Sequence, residues 1–221
     1  MEPRDNNHKI FEALKFYLLA TQLKDLIRSW RKVWNVKKER LESVAEHIYG
    51  TCILAIAIHS EFEVQIDIHK VILMLVVHEL GEVITGDLTL YDENYENKFE
   101  QEMKAVEQIL GNLNKKIFYQ EILKEFNEKT TPEAEFAYLC DKLEADIQIK
   151  RYEEEGALDL YGARNTTALE DERVQQMITE RGAKTVADVR IEYDKQLYTS
   201  SPTFLAILEY VQKHRLQDIT F

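Results

Sequence analysis

A chain of 221 residues with only seven glycines and three prolines cannot supply the many tight turns that an all-β fold demands. Almost every long stretch instead repeats its apolar residues at three- and four-residue intervals, the period of a helix packed on one side. The pattern predicts an all-α fold, a helical bundle long enough to bury a core of its own. Hydrophobic residues at 45% and charged residues at 31% give an ordinary globular balance, not that of a disordered chain.

Local signals divide the pattern into helices. The first runs from about Ile10 to Ile27, with Ile10, Leu14, Tyr17, Leu18 and Leu26 along one side. A connector containing Trp30 follows. Ser43 with Glu46 three residues on forms a capping box that starts the next helix and puts His47 near its first turn. A third helix starts near Asp67 and runs through VILMLVVHELGEVI, apolar nearly all round, as befits a bundle centre. After the loop TGDLTLYDEN, helices are expected from Tyr95 to Leu110 and from Lys115 to Asn127, with Gly111 as the stop between them. Thr131 and Pro132 open a long helix that ends at Gly156 and carries Asp141 in its middle. A polar stretch with Asn165, Thr166 and Thr167 leads to helices near Glu170 to Arg181, Val186 to Tyr198 and Pro202 to Leu216. The chain so divides into a helical domain over 1–156 and a helical extension over 157–221. The extension either continues the bundle or serves as a homodimer-forming appendage.

Composition narrows the setting. Cys52 and Cys140 alone offer no disulfide framework, and both sit in apolar helical patterns, which fits a reducing cytoplasm. The opening MEPRDNNHKI lacks the basic-then-apolar order of a secretory leader, and the runs CILAIAI and VILMLVV are too short to span a bilayer. A formal charge of -12 disfavours polymeric nucleic acid, whose binding is driven by phosphate neutralisation, but leaves small phosphorylated ligands open. Against that acidity the segment from Lys24 to Arg40 is locally basic, either a solvated face or a phosphate-facing one.

Four residues stand out chemically. Asp141 is an acid among the apolar Phe136, Ala137, Leu139, Cys140 and Leu143, and a buried carboxylate needs a partner, either a cation such as Lys142 or a metal. His78 and Glu79 close the most apolar helix of the chain, where two adjacent polar side chains are costly unless paired or ligated. With 6 histidines and 40 acids in the chain, about one such dipeptide is expected by chance, so its position carries the weight. Glu82 falls one helical turn after His78, either as a surface acid or within reach of a water beside the imidazole. His47 on its own fits a satisfied core histidine as well as a ligand. Gly-rich phosphate loops, the GxSxG elbow, paired CxxC units and HExxH are absent, and HELGE has Glu where HExxH needs its second His.

With these residues in place, the chain resembles the HD-domain phosphohydrolases, named for a His-Asp doublet within a scattered set of metal ligands. The closer likeness is to their 5′-deoxynucleotidase branch, through IRSW, ESVAEHIYG, HELGEVITGD and CDKLEA in that order, over roughly Ile10 to Glu155. The resemblance implies one divalent metal ion, Mn, Co, Fe, Mg or Zn, held by His47, His78, Glu79 and Asp141. Two imidazoles and two carboxylates leave open positions, which suits Mn²⁺, Fe²⁺, Co²⁺ or Mg²⁺ better than a closed structural zinc. It further implies Arg28 as a phosphate contact, Trp30 as a wall for the sugar or base, and Glu82 and Asp87 as supporting or acid/base groups. The substrate it implies is a nucleoside 5′-monophosphate, preferably deoxy, cleaved to nucleoside and phosphate. A phosphodiesterase or nucleotide polyphosphate hydrolase would use the same metal site. Glu79 departs from the Asp usual in the doublet, and a catalytically impaired ligand-binding protein is the reading that this departure raises.

Overall fold

The computed structural model describes residues 5–92, 95–160 and 167–219. The first four residues of the N-terminal stretch, Glu93 and Asn94 of the expected loop, and Asn165 and Thr166 of the polar stretch lie outside the described residues. Apart from one isolated antiparallel bridge between Ile27 and Ser43, every regular element described is helical. In chain order these are α1 (Asn6–Ala20), α2 (Trp30–Trp34), α3 (Val44–Phe62), α4 (Ile68–Val77), α5 (Glu82–Thr85), α6 (Lys98–Leu110), α7 (Lys116–Glu128), α8 (Pro132–Glu154), α9 (Thr167–Glu170), α10 (Glu172–Thr179), α11 (Val186–Asp194) and α12 (Pro202–Lys213). No described helix is long and apolar enough to cross a membrane.

The helix starts read from the sequence have their caps. Ser43 N–H donates to Glu46 Oε2 at 2.8 Å while Ser43 Oγ accepts from Glu46 N–H at 3.3 Å, a reciprocal pair that satisfies end donors of α3. Asp67 accepts from the backbone of His69 and Lys70 at the start of α4. Thr131 accepts from Ala134 N–H at 3.3 Å at the start of α8.

Three expectations change. The first helix stops at Ala20 and tightens into a 3₁₀ turn over Thr21–Lys24, because the bridge at Ile27 needs extended backbone. Its expected apolar side also faces out: Ile10, Leu14, Tyr17 and Leu18 are exposed, while Glu12 and, beyond the helix, Leu23 are buried. Glu12 fixes that orientation by accepting from Asn112 N–H at 3.2 Å and Asn112 Nδ2 at 3.4 Å. The third helix does not run through to Ile84. It ends at Val77, and the carbonyls of Val77, Glu79 and Leu80 accept from backbone amides three residues on, so the chain tightens before α5 begins. The expected helix from Glu170 to Arg181 is likewise divided, with Asp171 capping α10 through Arg173 N–H at 2.8 Å.

The chain forms two compact units. The first comprises Met1–Arg28, Glu42–Ala57 and Gln65–Tyr138. In it α6 packs on α1, α5 and α7, and α4 packs on α7, enclosing Met74, Leu75, Val106, Ile109, Leu110 and Leu123. The second comprises Ser29–Leu41, Ile58–Val64 and Leu139–Phe221, with Leu143, Ile149, Tyr152, Ile191, Tyr198 and Leu208 buried.

The second unit carries a buried charge network. Asp146 on α8 is fully buried and accepts from Arg190 Nε at 2.8 Å and from Tyr198 OH at 2.7 Å, while Arg190 also pairs with Asp194 at 3.2 Å. Burial, with the Asp194 charge behind it, pushes the Asp146 carboxyl well above the usual range, and Arg190 opposes that rise. One guanidinium thus holds two inward carboxylates. Arg190→Ala should lower the unfolding free energy by about 3 kcal/mol, the low end for a broken buried pair because the side chain is 22% exposed. A urea titration of the full chain reads this as a lower midpoint, with Arg190→Lys losing less.

Candidate metal centre

The capping box that starts α3 puts His47 in the first helical turn, where it is fully buried. His78 and Glu79 come from the tightened turn after α4, each 8% exposed. His78 Nδ1 lies 2.7 Å from the carbonyl oxygen of Leu75, and since a carbonyl only accepts, Nδ1 carries the proton and Nε2 the lone pair. That Nε2 lies 3.4 Å from Glu79 Oε1, and His47 Nε2 lies 3.9 Å from the same oxygen. The two imidazole rings are 5.8 Å apart at their centroids, and Phe126 backs His78 at 5.2 Å. Two ring nitrogens and a carboxylate oxygen therefore converge on one point.

Arg28 reaches the same oxygen. The bridge between Ile27 and Ser43 is extended by Arg28 N–H donating to Glu42 O at 3.1 Å and Val44 N–H donating to Leu26 O at 2.8 Å, which ties Arg28 to the start of α3. Its Nη1 is 3.5 Å from Glu79 Oε1 and 3.5 Å from Asp87 Oδ1. On the other side Glu82, 1% exposed, pairs through Oε1 with Lys98 Nζ at 3.3 Å. Lys98 also donates to Leu88 O at 3.0 Å and pairs with Glu102 at 3.3 Å. Glu82 Oε2 is buried and makes no hydrogen bond among the described residues.

The electrostatics of this pocket are one-sided. Glu79 and Asp87 pair with Arg28, and Glu82 and Glu102 pair with Lys98. Burial, then the charges of Glu79 and Asp87, push the Glu82 carboxyl well above the usual range. Burial raises Glu102 to about 7, with the Lys98 charge opposing and Glu79 adding to the rise. Burial alone would lower Lys98, but the surrounding carboxylates outweigh it and hold its ammonium above the ordinary lysine value. Carboxylates buried this close together are costly to ionise, and a divalent cation among them would offset that cost. The donor set fits such an ion: His47, His78 and Glu79 offer nitrogen and oxygen atoms that lie within 4.8 Å of one another.

His47, His78, Glu79, Arg28, Glu82 and Asp87 are thus brought together in the first unit. Asp141 and Trp30 belong to the second. Asp141 is 6% exposed on α8, with Lys142 Nζ at 2.8 Å from Oδ2. Trp30 is 5% exposed, edge-on to Tyr152 at 6.2 Å, with the Arg190 guanidinium 5.7 Å from its ring centroid. Sequence reasoning missed Lys98 and Glu102. Their only local signal is a four-residue spacing on α6, which surface ion pairs share.

An all-helical chain whose buried imidazoles meet at one carboxylate oxygen in an acid-rich pocket is a helical protein built to hold a divalent cation. The model of the HD domain matches it over residues 20–182, and the chain belongs to that family. Among its relatives, a 5′-deoxynucleotidase of Dictyostelium discoideum is 33% identical over 153 residues, covering 64% of this chain and 78% of the relative. A human 5′-deoxynucleotidase is 28% identical over 153 residues, covering 67% and 72% respectively. The solved structure of a conserved hypothetical protein from Pyrococcus furiosus superposes with a TM-score of 0.66 at 27% identity, covering 91% of this chain and 99% of that one.

Gly81 holds the turn in place. A Cβ there would meet Cα and Cβ of Glu102 at 2.9 and 2.7 Å, a backbone approach that no side-chain rotation relieves. Gly81→Ala should cost about 1–3 kcal/mol by overpacking. The expected readout is a lower melting temperature together with weaker divalent-metal binding, because the turn it displaces carries His78 and Glu79.

Proposed function

We propose that the chain is a metal-dependent 5′-nucleotidase that hydrolyses nucleoside 5′-monophosphates, deoxy forms preferred, to nucleoside and phosphate. The observation that carries the proposal is the convergence of His47 Nε2, His78 Nε2 and Arg28 Nη1 on Glu79 Oε1. Imidazoles suit a divalent cation, and a guanidinium at the same point suits the anion that such a cation also binds. The names of the curated relatives supply the substrate class.

The proposed ligands are His47, His78, Glu79 and Asp141, for one ion of Mn, Co, Fe, Mg or Zn. Asp141 enters from the family resemblance, as a buried carboxylate on a core helix. A divalent cation in such a site supplies Lewis acidity toward a phosphoryl oxygen and activates water near neutral pH. Arg28 binds the phosphate and neutralises charge on the transferring group. Glu82 orients the attacking water through Oε2, whose other carboxylate oxygen Lys98 holds in place. As the bond from water oxygen to phosphorus forms and the bond from phosphorus to the 5′ oxygen breaks, the proton that the water gives up passes through the Asp87 carboxylate to the leaving alkoxide. Trp30 is assigned to the sugar or base, also from the resemblance. Glu79 reaches the convergence point despite a side chain one methylene longer than the usual Asp, and glutamate is a competent hard oxygen ligand.

Phosphate release from a panel of deoxynucleoside and ribonucleoside 5′-monophosphates, with Mn²⁺ or Co²⁺ added, tests the activity. Turnover of at least one member is expected, and silence across the panel from metal-loaded protein overturns the proposal. Arg28→Ala should lower kcat/KM about 10- to 100-fold, the worth of a charge-assisted phosphate contact. For the ligands, elemental analysis should find the metal lost in Glu79→Ala and Asp141→Ala and kept in Glu79→Asp. Unchanged metal content in Glu79→Ala would show the ligand assignment to be wrong.

A further inference from the structure

Within the second unit the Trp30 ring is held from two directions. Tyr152 of α8 meets it edge-on at 6.2 Å between centroids, and the Arg190 guanidinium of α11 lies 5.7 Å from its ring centroid. At that separation a cation and an indole ring attract one another. The backbone that carries the ring is fastened too. Helix α2 ends at Asn35 in the left-handed conformation, and Lys37 N–H then donates to Ala157 O at 2.8 Å. Lys38 pairs with Glu155 at 2.5 Å and lies 5.3 Å from the centroid of the Tyr152 ring.

Arg190 is itself clamped. Its Nε donates to Asp146 Oδ1 at 2.8 Å and its Nη2 pairs with Asp194 Oδ2 at 3.2 Å, while Tyr198 OH fixes the other oxygen of Asp146 at 2.7 Å. Guanidinium hydrogen bonds lie in the plane of the group, so its flat faces stay available to a ring. Stability alone does not call for this arrangement, because apolar side chains of similar volume often replace a buried ion pair without loss. What two carboxylates on one fork supply is a single orientation of the guanidinium, and hence of the ring against it. Trp30 follows Arg28 by two residues in the chain, and Arg190, Asp194 and Tyr198 all belong to the extension over 157–221.

We propose that Arg190 is a positioning residue for the nucleoside part of the substrate: clamped by Asp146 and Asp194, it sets the Trp30 ring at the angle at which sugar or base docks. The inference rests on the assignment of Trp30 to the sugar or base, and it gives the extension a part in substrate recognition. Arg190→Lys keeps a positive charge for Asp146, and so the fold, but loses the planar fork. The chain holds two tryptophans, so Trp34→Phe leaves Trp30 as the sole indole fluorophore. In that background Arg190→Lys should increase acrylamide quenching of Trp30 and shift its emission to the red. Asp194→Asn, which leaves Arg190 in place and loosens one end of its fork, should do the same to a smaller extent. With deoxynucleoside 5′-monophosphates, Arg190→Lys should raise KM about 3- to 10-fold and leave kcat within about twofold. Trp30→Ala should raise KM at least as much, and Arg190→Lys added to it should raise KM no further, because the ring it orients is gone. A support that serves the fold alone would lower the melting temperature and add to Trp30→Ala. Unchanged quenching in Arg190→Lys overturns the proposal, and so does additivity of the two KM effects. The quenching measurement needs no turnover, which separates failure of the clamp from failure of the nucleotidase reading. An unchanged KM in Trp30→Ala overturns the assignment of Trp30 and the positioning role with it.

Discussion

Glu82 is buried to 1% beside Glu79 and Asp87, which disfavours its ionised form, and the first unit brings cations to offset that cost. Lys98 reaches in from α6, and Arg28 is carried in by a strand-like bridge to the start of α3. Burial holds the Glu82 and Glu102 carboxyls above the usual range, and a cation bound at the imidazoles of His47 and His78 would ease that cost.

The helix break between Val77 and Glu82 is where fold and site become one problem. An uninterrupted helix would keep His78 and Glu79 on a regular spiral. The tightened turn instead lets Glu79 Oε1 reach both imidazole nitrogens and the Arg28 guanidinium. Gly81 makes the turn compatible with α6 by leaving out a Cβ that would lie 2.9 Å from Glu102 Cα. Most of the site thus rests on backbone devices: a capping box, a bridge and a turn. Such devices suit a site whose tolerance for misplacement is small.

These devices differ in how well the sequence displays them. Capping is local chemistry, so Ser43 with Glu46, Asp67, and Thr131 with Pro132 can be read without a structure, and His47, His78 and Glu79 follow from the helices they start or end. The break after Val77 is tertiary: the run VILMLVVHELGEVI is a good helix pattern, and what interrupts it is the neighbour that Gly81 must admit. The inward face of α1 was equally hidden. With apolar residues on both sides, periodicity cannot choose between them, and the choice falls to the pairing of Glu12 with Asn112. Lys98 was invisible because a lysine four residues before a glutamate is the commonest of surface patterns.

The close approach at Gly81 has a consequence for how such a chain can diverge. Position 81 and the stretch of α6 around Glu102 cannot change independently, since any side chain at 81 requires α6 to move outward and an outward α6 withdraws Lys98 from Glu82. Glycine at 81 and the Lys98–Glu102 pair therefore form one structural unit. In descendants of this chain they should be kept together or lost together, and the second course would take the charge balance of the pocket with it.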